Sequence, residues 1–393
     1  MQIVLTHARL CCQGQLIHED LCIDAATGLM VDGPRHADAE IIDMKGAIIS
    51  PGFLELQTNG LRGFHFTHLD DKDSYQKKLE DVCKYLPQTG CTGFYPTIPT
   101  IHSDQFKKIL PSLAPQDIAD GASILGAHCE GPYLHPSKKG AHNSALFHSP
   151  QTPPEDIYGS TAKSNGIIKI VTLAPELQGT SHLVSHLTSN SIRVSLGHSS
   201  ATYQQGLEAV KAGATCLTHT LNAMAPLHHR DPGLAGLVTA SSADAVESPF
   251  FSLIADGNHL HPSVATMLFR SNPAKAILIT DSIELAGLPD GTYPGHAQIP
   301  FNQTKLGTKV VIEGTETLIG GCAGLDECVR NLMWWSECGI AEAARCVTEN
   351  VAGLMGIEDR GKLEVGRRAD LVVLDDGGVV RETWVRGRRV WVK

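Results

Sequence analysis

The sequence predicts an α/β fold, a (β/α)8 TIM barrel with a small β-sandwich-like domain built from both chain ends. Eight strand-like apolar runs alternate with helical stretches between residues 51 and 281, a number and length typical of this barrel. No Gly-x-Gly-x-x-Gly follows an early strand, which argues against the alternative, a doubly wound open sheet. Short strand-like runs fill residues 1–50 and recur near the other end of the chain.

The predicted elements follow one another in a regular order. The eight barrel strand candidates are FLELQ, GFYPTI, ASILGAHCE, IIKIVTLAP, SIRVSLGHS, ATCLTHT, FFSLIADG and AKAILITDS. Apolar residues at helical spacing from Tyr75 to Leu86 predict a helix, and Ser103 is a candidate cap of the helix SDQFKKIL. Two more helices are predicted at about 323–337 and 341–355, followed by a hairpin-like TWVRGRRVWV.

These patterns predict two domains. Residues 51–355 form the barrel, which is the predicted catalytic domain and carries a β insertion near 291–321. Residues 1–50 and about 356–393 pair with each other in the small β domain.

Composition excludes several classes of protein. The chain has 393 residues, 42% of them hydrophobic and 19% charged, as in ordinary globular proteins. Its formal net charge of −10 argues against nucleic acid or an anionic membrane as a partner. We find no apolar run of the ~20 residues that span a bilayer and no secretory signal. Eleven cysteines without a Cys-x-x-Cys pair indicate reduced thiols and a cytoplasmic protein.

Polar side chains follow most of the predicted strands, where a barrel carries its chemistry. They are Gln57, Asn59, Glu130, His198, His219, Asp256, His259 and Asp281. Glu130, His198 and His219 form a His₂Glu set, which binds catalytic zinc and leaves a fourth position for water. Asp281 ends the last strand and is a candidate general base, although an aspartate followed by Ser282 and a turn also fits a helix cap. We interpret His128 as a support for the ligands.

Several segments, in this order, match one known family. They are PGFLELQTNG, HCEGPYLHPSKKGAHN, VTLAPEL, VSLGHS, THTLNAMAPLHHRDPG, IADGNHLHP, ITDS, GTETLIGG and GKLEVGRRADLVVLD. In these segments the chain resembles the N-acetylglucosamine-6-phosphate deacetylases of the amidohydrolase superfamily. The resemblance implies hydrolysis of the acetamide of an amino-sugar phosphate in amino-sugar catabolism.

The resemblance also implies a role for particular residues. Glu130, His198 and His219 would hold one divalent ion per subunit, with Zn²⁺ as the expected metal, while Asp281 and His142 would be catalytic. Substrate contacts would fall on Ala141, His142, Asn222, Ala223, Arg230, Asp256, Gly257, Asn258, His259, Leu318, Ile319 and Gly320. The chain would form a homodimer in which Arg230 and His259 reach the phosphate in the neighbouring site.

Gln57 and Asn59 stand where many amidohydrolases have a His-x-His that binds a second metal. Neutral amides compete poorly for a transition metal beside imidazole or carboxylate. We therefore expect one metal, with both amides hydrogen-bonded to water or to the ligating carboxylate.

The sequence alone leaves three alternatives for the function open. The substrate sugar has either the gluco or the galacto configuration. The two differ in the orientation of one hydroxyl, and its recognition depends on fine loop placement. Another amidohydrolase, acting on a cyclic amide, has the same fold. A metal-free barrel kept as a binding protein is the non-enzymatic alternative, which metal analysis would decide.

Overall fold

The computed structural model describes residues 1–163 and 166–393. Its centre is a barrel of eight parallel strands, which confirms the predicted fold class. In barrel order they are Phe53–Thr58, Cys91–Pro99, Ala127–Glu130, Ile168–Leu173, Arg193–Leu196, Cys216–Leu217, Phe250–Ile254 and Ala276–Ile279. Each strand pairs in parallel with the next along the chain. A short strand, Ser123–Ile124, adds to the second barrel strand.

The barrel closes where its last strand meets its first. The Asp281 N–H donates to the Gln57 carbonyl oxygen (3.0 Å), and the Asn59 N–H donates to the Ser282 carbonyl oxygen (2.7 Å). Below them the Glu55 carboxylate accepts from the Thr280 N–H at 3.2 Å. Burial raises the pKa of Glu55 to about 8. Glu55 therefore joins the barrel seam, whereas Gln57 and Asn59 reach the barrel mouth.

Helices surround the barrel. The α-helices are Lys72–Tyr85, Ser103–Ile109, Pro154–Tyr158, Thr180–Ser189, Tyr203–Lys211, Pro262–Ser271, Leu325–Ser336, Ile340–Arg345 and Glu349–Met355. The 3₁₀ turns are Leu86–Thr89, Leu110–Leu113, Pro136–Lys138, Ser144–Leu146, Gly159–Ala162, Gly233–Thr239 and Ser242–Asp244. None of the helices in the described ranges combines the length and apolarity needed to cross a membrane.

Two helix predictions were wrong in detail. Ser103 does not cap its helix, because the N-cap residue is His102 and Ser103 already lies in the first turn. The helix predicted at 341–355 is two helices. It breaks at Thr348, whose backbone leaves the helical region (φ −134°, ψ −90°). The Thr348 hydroxyl donates to the Ala344 carbonyl oxygen (2.7 Å), a local bond that competes with the helical pattern.

Two sheets lie beside the barrel. The first contains Leu29–Met30, Leu21–Asp24, Gln2–Thr6 and Glu40–Asp43, in that order. The second contains Arg388–Val392, Val380–Val385, Leu371–Leu374, Ile48–Pro51, Arg9–Cys12 and Gln15–Ile17. In the second sheet Val373 lies opposite Ile49, so strands from both chain ends share one ladder. Buried Leu5, Ile23 and Trp384 belong to one core cluster of these strands.

A third group of strands lies at the mouth of the barrel. Gly291–Tyr293, Gln303–Leu306, Lys309–Ile312 and Leu318–Gly321 form an antiparallel sheet. The hairpin Gly60–Leu61 and Phe64–His65 follows the first barrel strand. These segments place further side chains around the polar strand ends.

Candidate active site

Glu130, His198 and His219 meet at the carboxyl ends of the third, fifth and sixth barrel strands. Glu130 Oε1 lies 3.1 Å from His198 Nε2 and 2.9 Å from His219 Nε2. The two Nε2 atoms are 3.1 Å apart. All three side chains are buried. The structure therefore brings the three predicted ligands together in one small triangle.

The second nitrogen of each histidine fixes its tautomer. His198 Nδ1 donates to the Lys138 carbonyl oxygen (2.8 Å), and His219 Nδ1 donates to the Asn222 carbonyl oxygen (3.2 Å). In the neutral tautomer this sets, each Nε2 lone pair points toward the Glu130 carboxylate. Three acceptor atoms so close together need a positive charge between them.

A divalent metal fits this donor set. Tetrahedral zinc bound at ~2.0–2.1 Å keeps its ligand atoms about 3.3 Å apart, close to the separations seen here. The electrostatics agree. Burial works to raise the pKa of Glu130, but its interactions with the surrounding imidazoles outweigh it and hold that pKa well below its usual range. Burial works to lower the pKa of His219, but Glu130 raises it to about 9, so the Glu130 carboxylate favours a positive charge beside it.

Asp281 lies beside this triangle with its Oδ1 atom already engaged. Asn59 Nδ2 donates to Oδ1 at 2.8 Å, and Gln57 Nε2 donates to it at 3.2 Å. Gln57 Nε2 also lies 3.1 Å from Glu130 Oε1. Burial and the negative charge of Glu130 raise the pKa of Asp281. Gln57 thus bonds the ligating carboxylate, as expected, whereas Asn59 bonds Asp281 instead. Both amides present N–H groups to these carboxylates.

His142 completes the polar floor of the site. Its Nδ1 accepts from the Thr100 N–H (3.2 Å), so its Nε2 carries the proton when the ring is neutral. Nε2 lies 3.5 Å from Glu130 Oε2. Glu130, His142 and His198 also offer atoms within 4.8 Å of one another. Because His142 Nε2 is a donor, we assign the third ligand position to His219 and leave His142 as a hydrogen-bond donor.

A cavity of about 460 Å³ opens above these residues. Most of the predicted substrate contacts line it, namely Ala141, His142, Asn222, Ala223, His259, Leu318, Ile319 and Gly320. Asp256 lies behind this wall, where its Oδ2 accepts from His259 Nδ1 (2.8 Å) and its Oδ1 from the Asn258 N–H (2.9 Å). Asp256, Gly257 and Asn258 therefore shape the loop that carries His259, while only His259 borders the cavity.

Arg230 lies outside this cavity and is exposed. Its Nη1 contacts His229 Nε2 (3.2 Å). Arg230 forms no ion pair with Asp231 in the described part of the chain, and Asp231 Oδ1 accepts from the N–H groups of Tyr203 and Gly233. His259, by contrast, lies in the cavity of its own chain. The two residues predicted to reach a neighbouring site therefore differ in position, since His259 borders the cavity and Arg230 does not.

Part of the cavity wall carries no sequence motif, and His128 bonds the barrel strands rather than a ligand. His65, Thr100, Gln298 and Ile299 line the cavity, although no motif marks them. His128 forms no hydrogen bond with the three ligands in the described part of the chain. Its Nδ1 donates to the Leu56 carbonyl oxygen (3.2 Å) and its Nε2 accepts from the Thr172 hydroxyl (2.8 Å). It therefore ties the barrel strands together below the site.

Comparisons with known proteins agree with this geometry. Residues 318–391 match the model of the Amidohydrolase family. The chain is 38% identical over 372 residues to the N-acetylglucosamine-6-phosphate deacetylase of Caenorhabditis elegans, covering 91% of this chain and 85% of that protein. The chain belongs to the N-acetylglucosamine-6-phosphate deacetylase family.

Other members of this deacetylase family show the same likeness. The enzyme of Danio rerio is 38% identical over 368 residues, covering 93% of this chain and 89% of that protein. The N-acetylgalactosamine-6-phosphate deacetylase of Escherichia coli O157:H7 is 32% identical over 357 residues, covering 88% and 89%. A mutant of the Mycobacterium smegmatis deacetylase, solved in complex with N-acetyl-D-glucosamine-6-phosphate, has a TM-score of 0.83 at 26% identity and covers 99% of both chains.

Proposed function

We propose that this protein hydrolyses N-acetyl-D-glucosamine 6-phosphate to D-glucosamine 6-phosphate and acetate, a step of amino-sugar catabolism. The proposal rests on the triangle of Glu130, His198 and His219 beside Asp281, in a chain of this deacetylase family. Water adds to the acetyl carbon, the C–N bond breaks, and the sugar nitrogen leaves as an amine.

Glu130, His198 and His219 hold one divalent ion in this proposal, and the His₂Glu set favours zinc. When bound, the ion supplies Lewis-acid chemistry that makes water a nucleophile at neutral pH. A second strong site at the first strand is disfavoured, because Gln57 and Asn59 turn N–H groups toward Asp281.

Asp281 is the acid/base group. Asn59 and Gln57 both donate to its Oδ1, whereas its Oδ2 accepts no hydrogen bond within the described ranges. Oδ2 takes a proton from the attacking water and returns it to the leaving nitrogen. The His142 Nε2–H donates to the acetyl oxygen as negative charge develops there.

The substrate phosphate lies toward Asn222, Ala223 and His259, with Arg230 supplied by the second subunit of a homodimer. Arg230 is exposed, lies outside its own cavity and pairs with no carboxylate in the described part of the chain. A guanidinium fork matches phosphate oxygens well. All eleven cysteines are free thiols, which supports a cytoplasmic location for the enzyme.

Kinetics on purified protein test the proposal. We expect kcat/KM for N-acetylglucosamine 6-phosphate to exceed that for N-acetylgalactosamine 6-phosphate, and both to exceed that for unphosphorylated N-acetylglucosamine. Hydantoin and dihydroorotate, which are cyclic amides, should not be hydrolysed. A preference for the galacto sugar would overturn the substrate assignment, and turnover of a cyclic amide alone would overturn the reaction.

A further inference from the structure

His65 borders the cavity from a side that the proposed mechanism does not use. It ends the short hairpin after the first barrel strand and is 3% exposed. Its Nδ1 accepts from the Thr67 N–H (3.2 Å) and lies 2.8 Å from the Thr67 hydroxyl. In the neutral ring, Nε2 therefore carries the proton. Within residues 1–163 and 166–393 this N–H donates to no protein atom, although buried donors are almost always paired.

The His65 ring is held in one protonation state and one orientation. Burial lowers its pKa to about 3, so the ring is neutral at physiological pH. It stacks on His68 with ring centroids 5.1 Å apart and lies against His296 at 5.3 Å. A neutral, immobile imidazole is a pre-organised hydrogen-bond donor.

A buried ion pair holds the neighbouring loop against this ring. His296 Nε2 donates to Glu284 Oε1 (3.1 Å), and Gln303 Nε2 donates to the same oxygen (2.9 Å). Gln298, which also lines the cavity, accepts from His68 Nε2 at 3.2 Å. Glu284 follows the last barrel strand, so this loop is fixed to the rigid barrel.

We propose that His65 binds substrate by donating its Nε2–H to a hydroxyl of the sugar ring, and that the Glu284–His296 pair positions it. The inference rests on the proposed deacetylation. The acetyl oxygen already has His142 and the ion-binding triangle as partners. Phosphate recognition favours a charged guanidinium over a neutral imidazole. The ring hydroxyls are the strongest of the remaining acceptors on this substrate, because ether and phosphoester oxygens accept more weakly.

Two variants at His65 separate a hydrogen bond from packing. His65→Leu removes the donor, whereas His65→Gln keeps an N–H. We expect His65→Leu to lower kcat/KM by about 10-fold, mainly through KM, as loss of one buried hydrogen bond would. His65→Gln should recover most of this loss. Equal metal content and thermal stability of the variants show that they are folded.

Deoxy substrates identify the acceptor. The 1-deoxy, 3-deoxy and 4-deoxy analogues are compared on the parent enzyme and on His65→Leu. One analogue should give the same kcat/KM with both proteins, because it lacks the hydroxyl that His65 contacts. The inference is overturned when all three analogues keep the about 10-fold difference, or when His65→Leu is as active as the parent. An inactive parent would instead refute the proposed deacetylation.

Glu284→Gln tests the positioning role. We expect KM to rise with little change in kcat, because the substrate donor shifts while Asp281 and the ion ligands stay in place. Glu313→Gln is the matched control, since Glu313 is an exposed carboxylate of the same mouth region that bonds only Asn302 in the described ranges. A fall in kcat at unchanged KM would contradict positioning by Glu284.

Discussion

Asp281 is the residue whose surroundings most directly define a catalytic role. We expect Asp281→Asn to lower kcat by ~10²-fold or more while metal content and KM stay close to the parent values. The asparagine oxygen still accepts from Asn59 and Gln57, so the site keeps its shape. Steady-state kinetics with elemental analysis check this, and Asp326→Asn, on an outer helix, is the control. A fully metal-loaded Asp281→Asn enzyme with near-normal kcat would remove Asp281 from the mechanism.

Glu130 tests the metal centre in the same way. Glu130→Gln should lose most of its bound metal, because a neutral amide replaces the only charged ligand. Glu55→Gln is a matched control, since it changes a buried carboxyl at the barrel seam without touching the triangle. Elemental analysis after dialysis compares them. Equal metal content in both variants would refute the assigned ligand set.

The sequence predicted which residues form the site better than it predicted their backbone conformations. Polar residues after apolar strands predicted Glu130, His198, His219 and Asp281. The sequence did not predict that His198, His219 and Asp281 adopt positive φ angles of 48°, 30° and 45°. Such a strained backbone conformation persists only where surrounding contacts fix it, and those contacts come from distant elements. His65 was missed because its place in the cavity wall depends on contacts with residues far away in the chain, such as His296.

The loop that carries His296 can be tested through the pH dependence of its ion pair. Burial works to raise the pKa of Glu284, but His296 outweighs it and holds that pKa at about 2, below its ordinary 4.5. Burial works to lower the pKa of His296, but Glu284 raises it above 6.5. Stability from Glu284 is fully present above about pH 4.5 and is lost as pH falls toward 2. Stability from His296 is fully present below about pH 6.5 and is lost as pH rises through the raised pKa.

The pair therefore stabilises the fold most between about pH 4.5 and 6.5. We expect Glu284→Gln to lower Tm by ~3 °C or more in this window, and by less at pH 9. Thermal unfolding of metal-loaded parent and variant across pH measures the difference. A Tm difference that stays constant from pH 5 to pH 9 would show that the pair is not ionised as described.

Elements were predictable where one periodicity runs unbroken, as in the helix Lys72–Tyr85. The break at Thr348 was not, because a threonine hydroxyl bond to Ala344 interrupts a sequence with helical periodicity on both sides. The predicted barrel implies that its last strand meets its first, but the individual hydrogen bonds of this seam were not predictable. Its bonds join residues near 57 with residues near 281, and strand patterns carry no information about partners so far apart.

For the whole molecule, we predict from the position of Arg230 that the two subunits of a homodimer both contribute residues to each active site. Arg230→Ala should raise KM for the phosphorylated sugar strongly and leave the unphosphorylated sugar almost unaffected. A mixture of Arg230→Ala and Asp281→Asn chains should regain activity after subunit exchange. The mixed dimer has one site with both defects and one with neither. A mixture that stays inactive although mixed dimers form would show that Arg230 serves its own chain.

We propose that one metal ion, held by Glu130, His198 and His219, supports deacetylation of the phosphosugar. The most direct test of this proposal is titration of metal-free protein with Zn²⁺ while acetate release from N-acetylglucosamine 6-phosphate is measured. We expect the rate of acetate release to rise linearly with added Zn²⁺ and to saturate at one ion per chain. Saturation at two ions, or no acetate release at any metal content, would contradict it.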